Sequence, residues 1–137
     1  MATCPAGIAG VDTFGPLIVD AYLRGDITAV TFWRISSGAV ATLFGLADRK
    51  GVIAPGADAD LCVIDPDGSQ EVTEGWLWTK SRSSAFLGQT LRGTIERVIV
   101  GGADRFSAGQ VVDDGKGTHV IPDWSAGTEP AHRHPAL

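Results

Sequence analysis

The hydrophobic period of this chain changes once, near residue 45, from helical spacing to short extended runs. Before the change, Thr13 offers an N-cap, Pro16 falls in a first turn where its missing N–H is harmless, and Leu17, Ile18, Ala21 and Tyr22 recur at helical spacing. This predicts a short helix from about Pro16 to Arg24, stopped by Gly25. Thr28 gives a second start signal. Val30, Trp33, Ile35, Val40, Leu43 and Phe44 then form a broad apolar stripe ending at Gly45, weakened at Ser36-Ser37-Gly38.

Beyond the change, Val52-Ile53, Leu61 to Ile64 and Val98 to Val100 are apolar runs set between Pro55-Gly56, Asp65-Pro66-Asp67-Gly68 and Gly101-Gly102. They predict strands of a small antiparallel sheet or half-sandwich between about Gly51 and Val112. Trp76, Trp78, Phe86 and Leu87 are expected in a loop packed across it. After Val112 the periodicity fades and Gly, Pro and Ser accumulate, as in a tail, although Val120, Ile121 and Trp124 could dock it onto a neighbour. Two helices followed by an unrelated sheet, with no internal repeat, read as an α+β piece of something larger.

The composition narrows the partners. Hydrophobic residues at 44% and charged residues at 20% fit a folded globular chain. Net charge is −5 with Lys and Arg scattered, which gives no footprint for nucleic acid and no polybasic lipid anchor. The N-terminus lacks a basic region followed by an apolar one, and no apolar run suffices for a membrane span, so a cytoplasmic protein is expected. Cys4 and Cys62 have no CxxC spacing. Cys62, within Leu61 to Ile64, is expected to be a small buried hydrophobe in a reducing compartment.

The run from Arg49 to Pro66, RKGVIAPGADADLCVIDP, is similar to the segment "RKG-I-x-x-G-x-DADLV-x-x-D" with which amidohydrolases re-enter an accessory β-domain after their barrel. Gly56 suits a redirecting turn, and Asp58 and Asp60 suit bonds to turn amides. Upstream, Gly7 to Thr13 followed by Pro16-Leu17-Ile18 resembles "G-x-x-G-x-E-T-x-L-P-L-L", the loop into the last barrel helix, and Ser36 to Leu46 falls on the family's "T-S-x-N-P-A-x-x-F-G-L" helix. Downstream, Ser84 to Gly93 is similar to "S-P-F-x-G-x-x-L-x-G", and Val98 to Gly102 to the closing strand. Ala39-Val40 stand where the family usually has Asn-Pro, Ala85 where it has Pro and Asp12 where Glu is commoner, which places the chain away from the centre of any one subfamily.

The chain therefore resembles the C-terminal part of a cyclic amidohydrolase of the hydantoinase (dihydropyrimidinase), allantoinase and dihydroorotase kind. The resemblance implies the last helices of a (β/α)8 barrel followed by a small antiparallel, β-sandwich-like accessory domain. It divides the chain into residues 1–48, the end of the barrel, 49–112, the accessory β-domain, and an irregular tail at 113–137. At 137 residues the chain is too short for a whole barrel of about 250 residues. The implied reaction is metal-dependent hydrolysis of a cyclic amide C–N bond in a dihydropyrimidine, hydantoin, allantoin or dihydroorotate-like ring. Zinc or another divalent metal is implied in the intact enzyme, which would be a homo-oligomer; the chain itself carries no counterpart of the metal ligands and would need the missing barrel portion or a partner chain. The rival reading is a non-catalytic module, derived from such an enzyme, that serves oligomer contacts.

One implied site segment falls inside the chain. Pro5, Ala6 and Gly7 match the loop that lines the active site and offers backbone groups to the substrate, a role glycine suits by permitting close approach; the alternative is a plain loop turning into a helix. No residue is assigned as catalytic or as a metal ligand: Asp12 resembles a loop carboxylate and Asp20 lies on a helix. His132-Arg133-His134 matches His-x-His only superficially, since it lies in the tail without a strand, and His119 reads as a solvated or packing residue. Ser36 and Ser37 lack a partnered histidine and read as helix serines bonding back to carbonyls. Trp33 reads as core, while Trp76 and Trp78 fit packing and interface roles equally.

Overall fold

The computed structural model describes residues 9–112, 115 and 117–123. Helix α1 runs Val11–Arg24 and ends as expected at Gly25, whose φ of 83° lets its amide reach back to the carbonyls of Ala21 and Tyr22. It starts five residues earlier than the sequence suggested. Thr13 is not the cap but a fully buried residue of the first turn, and Pro16 lies inside the helix, where it removes one backbone bond.

The second helix begins as predicted at Thr28, whose side chain accepts a hydrogen bond from the amide of Thr31 at 3.2 Å. It is one rod in three pieces: α2 (Ala29–Trp33), a π-helical turn (Arg34–Gly38) and α3 (Ala39–Leu43). The π turn falls on the stretch expected to be weak.

Four antiparallel strands come next, in the order β1 (Leu61–Glu71), β2 (Thr90–Val100), β3 (Ala103–Ser107) and β4 (Gln110–Val111). β1 pairs with β2 from Leu61 opposite Ile99 to Glu71 opposite Thr90, with register shifts after Val63 and between Asp65 and Ser69. The second shift holds Asp65-Pro66-Asp67-Gly68, where Pro66 cannot donate to a ladder and the amide of Asp67 turns to Asp65 Oδ1 at 3.0 Å. Gly101 and Gly102, with φ of 59° and 81°, make the β2–β3 turn.

Three expectations fail here. Val52-Ile53 is not a strand but irregular, with Ile53 90% exposed. Cys62 is exposed rather than buried, although it borders the cleft between β1 and the helices with Ile18 and Phe32. Trp33 is 46% exposed rather than core.

The core is small. Val72, Leu77 and Leu91 are buried, with Leu17, Trp76 and Phe86 packed on them. The loop between β1 and β2 thus crosses the end of the sheet, as its tryptophans suggested. Its base is closed by paired bonds of 2.9 Å, Val72 N to Gln89 O and Gly88 N to Val72 O. Helix α1 packs on the β2 face carrying Leu91 and Gly93: a Cβ on Gly93 would lie 2.8 Å from Leu23 Cδ1 and 2.9 Å from Val19 Cγ1. Of the tail, the described residues contain no helix or strand, and the amide of Asp123 bonds to Gly45 O at 2.9 Å.

Candidate functional site

Pro5, Ala6 and Gly7 lie outside the described residues, so the candidate site is defined by the entry to α1 and the elements packed around it. The carbonyl of Gly10 accepts the amides of Thr13 and Phe14 at 3.2 and 2.9 Å, which fixes the entry to α1. Asp12 stands in the first turn of this helix, not in a loop as the sequence suggested. One oxygen of its carboxylate accepts both Trp78 N (2.9 Å) and Thr79 N (2.8 Å). A negative charge is favourable at a helix start, and here it also anchors a loop 66 residues away.

Beside this anchor opens a cleft with a cavity volume of about 610 Å³. Asp12 and Pro16 border it on the helix, Trp76 and Trp78 on the loop, and Ile95 and Phe106 on the sheet. Trp78 is 62% exposed, so its ring is a wall and not part of the core.

The segment from Arg49 to Asp60 has a structural logic of its own. Lys50 Nζ bridges Asp58, at 2.8 Å, and Asp60, while Arg49 pairs with Asp58 at 3.0 Å. Asp60 also accepts Gly101 N at 2.7 Å, and Gly102 N bonds to Ala59 O at 2.9 Å, which ties the segment to the β2–β3 turn. Hydrogen bonds from Lys50 and then Arg49 hold the Asp58 carboxyl below its ordinary range, and Lys50 followed by the Gly101 amide does the same for Asp60. Bonding to Asp58 and then Asp60 raises Lys50. The expectation that Asp60 bonds a turn amide is met; Asp58 serves the cations instead.

Gly51 completes the segment. With φ of 85° it lies so close to the second helix that a Cβ would come within 2.8 Å of Ala41 Cβ and 3.1 Å of Ser37 O. Its carbonyl accepts the indole Nε1–H of Trp33 at 2.7 Å. That bond explains why Trp33 stays at the surface.

The remaining candidates do not assemble into a reactive centre. Ser36 Oγ bonds to Phe32 O at 2.7 Å and lies 3.1 Å from Ser37 Oγ, the back-bonding expected of helix serines. His119 is exposed, and His132 and His134 lie outside the described residues. Burial of the Cys62 sulfur raises its thiol pKa although the residue as a whole is exposed. Among the described residues no three His, Cys, Asp or Glu side chains come together to hold a metal ion, so these residues do not fit a metal centre.

Sequence reading missed Asp20, which is 4% exposed, accepts Arg92 N at 2.9 Å and pairs with Arg24. The available signal was its place three residues after Leu17 and four before Arg24, on the inward stripe of α1. The double role of Asp12 and the Trp33–Gly51 bond left no local signal.

Comparison with known proteins places this geometry. The amidohydrolase family profile matches residues 17–112. D-phenylhydantoinase of Escherichia coli is 36% identical over 107 residues, covering 77% of this chain and 23% of that enzyme. The solved D-hydantoinase (dihydropyrimidinase) from Thermus sp. superposes with a TM-score of 0.74 at 32% identity, over 79% of this chain and 24% of the other. Dihydropyrimidinase from Brevibacillus agri gives 0.65 at 30% identity, over 70% and 21%. This chain belongs to the amidohydrolase family, and it spans about a quarter of the length of the hydantoinases it resembles. No helix among the described residues is long and apolar enough to cross a membrane.

Proposed function

We propose that this chain is the C-terminal portion of a metal-dependent cyclic amidohydrolase that hydrolyses the amide C–N bond of a hydantoin or dihydropyrimidine-like ring, allantoin and dihydroorotate being the related candidates. Water adds across the ring amide, and the ring nitrogen leaves with a proton. On this reading residues 1–48 are the end of the barrel, 49–112 part of a sandwich-like accessory domain, and 113–137 a tail. Pro5, Ala6 and Gly7 offer backbone hydrogen bonds to the ring. Zinc or another divalent metal is held by residues outside this chain, and the complete cytoplasmic enzyme is a homo-oligomer.

The observation that carries this reading is the match to one quarter of a hydantoinase by a chain that leaves Val11, Leu43, Phe44, Ile53 and Trp78 more than half exposed. So much apolar surface calls for cover by further polypeptide. The test is metal content and ring opening of hydantoin, dihydrouracil, allantoin and dihydroorotate, by the purified chain alone and with the protein encoded immediately upstream. Metal and activity only with the partner establish the proposal. Activity of the chain alone overturns its account of the site, and silence in both favours a non-catalytic oligomerisation module.

A further inference from the structure

We draw no further inference here: the strongest candidate, the cleft between the first turn of α1 and the β2–β3 face walled by Trp78 and Phe106, belongs to the apolar surface already assigned to the remainder of the enzyme, and nothing in the structure shows what else covers it.

Discussion

Asp20 on helix α1 accepts a hydrogen bond from the backbone amide of Arg92 on strand β2 at 2.9 Å, across 72 residues of sequence. Strand β3 pairs with β2 only from Arg97 to Val100, so among the described residues the lower half of β2 has no second strand beside it. There the buried carboxylate takes the place of a ladder acceptor, and Arg24 offsets part of the charge at 3.3 Å. Replacing Asp20 by Ala should leave the Arg92 amide without its acceptor, at about 1–3 kcal/mol. Asn keeps an acceptor and should lose less. Urea midpoints of the two variants measure the difference; equal midpoints for Asp20→Ala and the parent would show that the bond is dispensable.

Gly93 sits where helix α1 packs directly against strand β2. Its φ is 77°, and a Cβ would meet Leu23 and Val19 below 3.0 Å. Gly93→Ala should therefore destabilise by about 1–3 kcal/mol through overpacking, in addition to the backbone cost. Gly101, with φ of 59° and nothing near its missing Cβ, bears only the backbone cost. The thermal midpoint of Gly93→Ala should fall well below that of Gly101→Ala, and the reverse order would remove close packing as the reason for Gly93.

The Lys50 bridge predicts an acid-sensitive join. The folded-state values of Asp58 and Asp60 lie below their ordinary ones, so the unfolded chain takes up protons first as pH falls. Their contribution is complete above the ordinary carboxylate value, about pH 4, and disappears as pH drops through the lower folded values. The raised Lys50 contributes below its ordinary value, about 10.4, and loses this as pH rises through the folded value. Lys50→Met should flatten the fall in melting temperature on the acid side. Because these groups are partly exposed to solvent, molar salt should reduce the same slope in the parent. A Lys50→Met profile parallel to the parent's at every pH would locate the acid sensitivity elsewhere.

Cys62 should react slowly for an exposed thiol. Its sulfur is partly desolvated, which raises its pKa and lowers the thiolate fraction at neutral pH. In a Cys4→Ser background, maleimide labelling of Cys62 at neutral pH should be slower in the folded chain than in urea, with the gap narrowing as pH rises. Equal rates in both states would show that folding does not protect it.

How much the sequence disclosed depends on how far each interaction reaches. Gly25 and Thr28 act within one turn of their own positions, and both were legible. So was the faulty stretch at Ser36-Ser37-Gly38, whose hydroxyls compete for backbone partners. The lower part of β2 was hidden because Arg92, Thr94 and Glu96 interrupt its apolar residues; only Val98 to Val100 read as a strand. Val52-Ile53 has a strand's composition, yet the ladder begins only at Leu61, after the ion pairs that hold Arg49 and Lys50 to Asp58 and Asp60. For the site, the sequence put the entry to α1 five residues late, at Pro16, and the reach of Asp12 to Trp78 and Thr79 depends on tertiary folding.

The π-helical turn at Arg34–Gly38 works as a phase shifter in the second helix. One extra residue in the turn rotates everything after it by about 100° relative to an unbroken α-helix. No single helical wheel can therefore describe positions 29 to 43, and the outward face of α2 is continued in α3 by residues from a different row of the sequence. A one-residue deletion within the turn would rejoin the rows and swing Ala41 away from Gly51, unlocking the helix from the ion-paired segment it now holds.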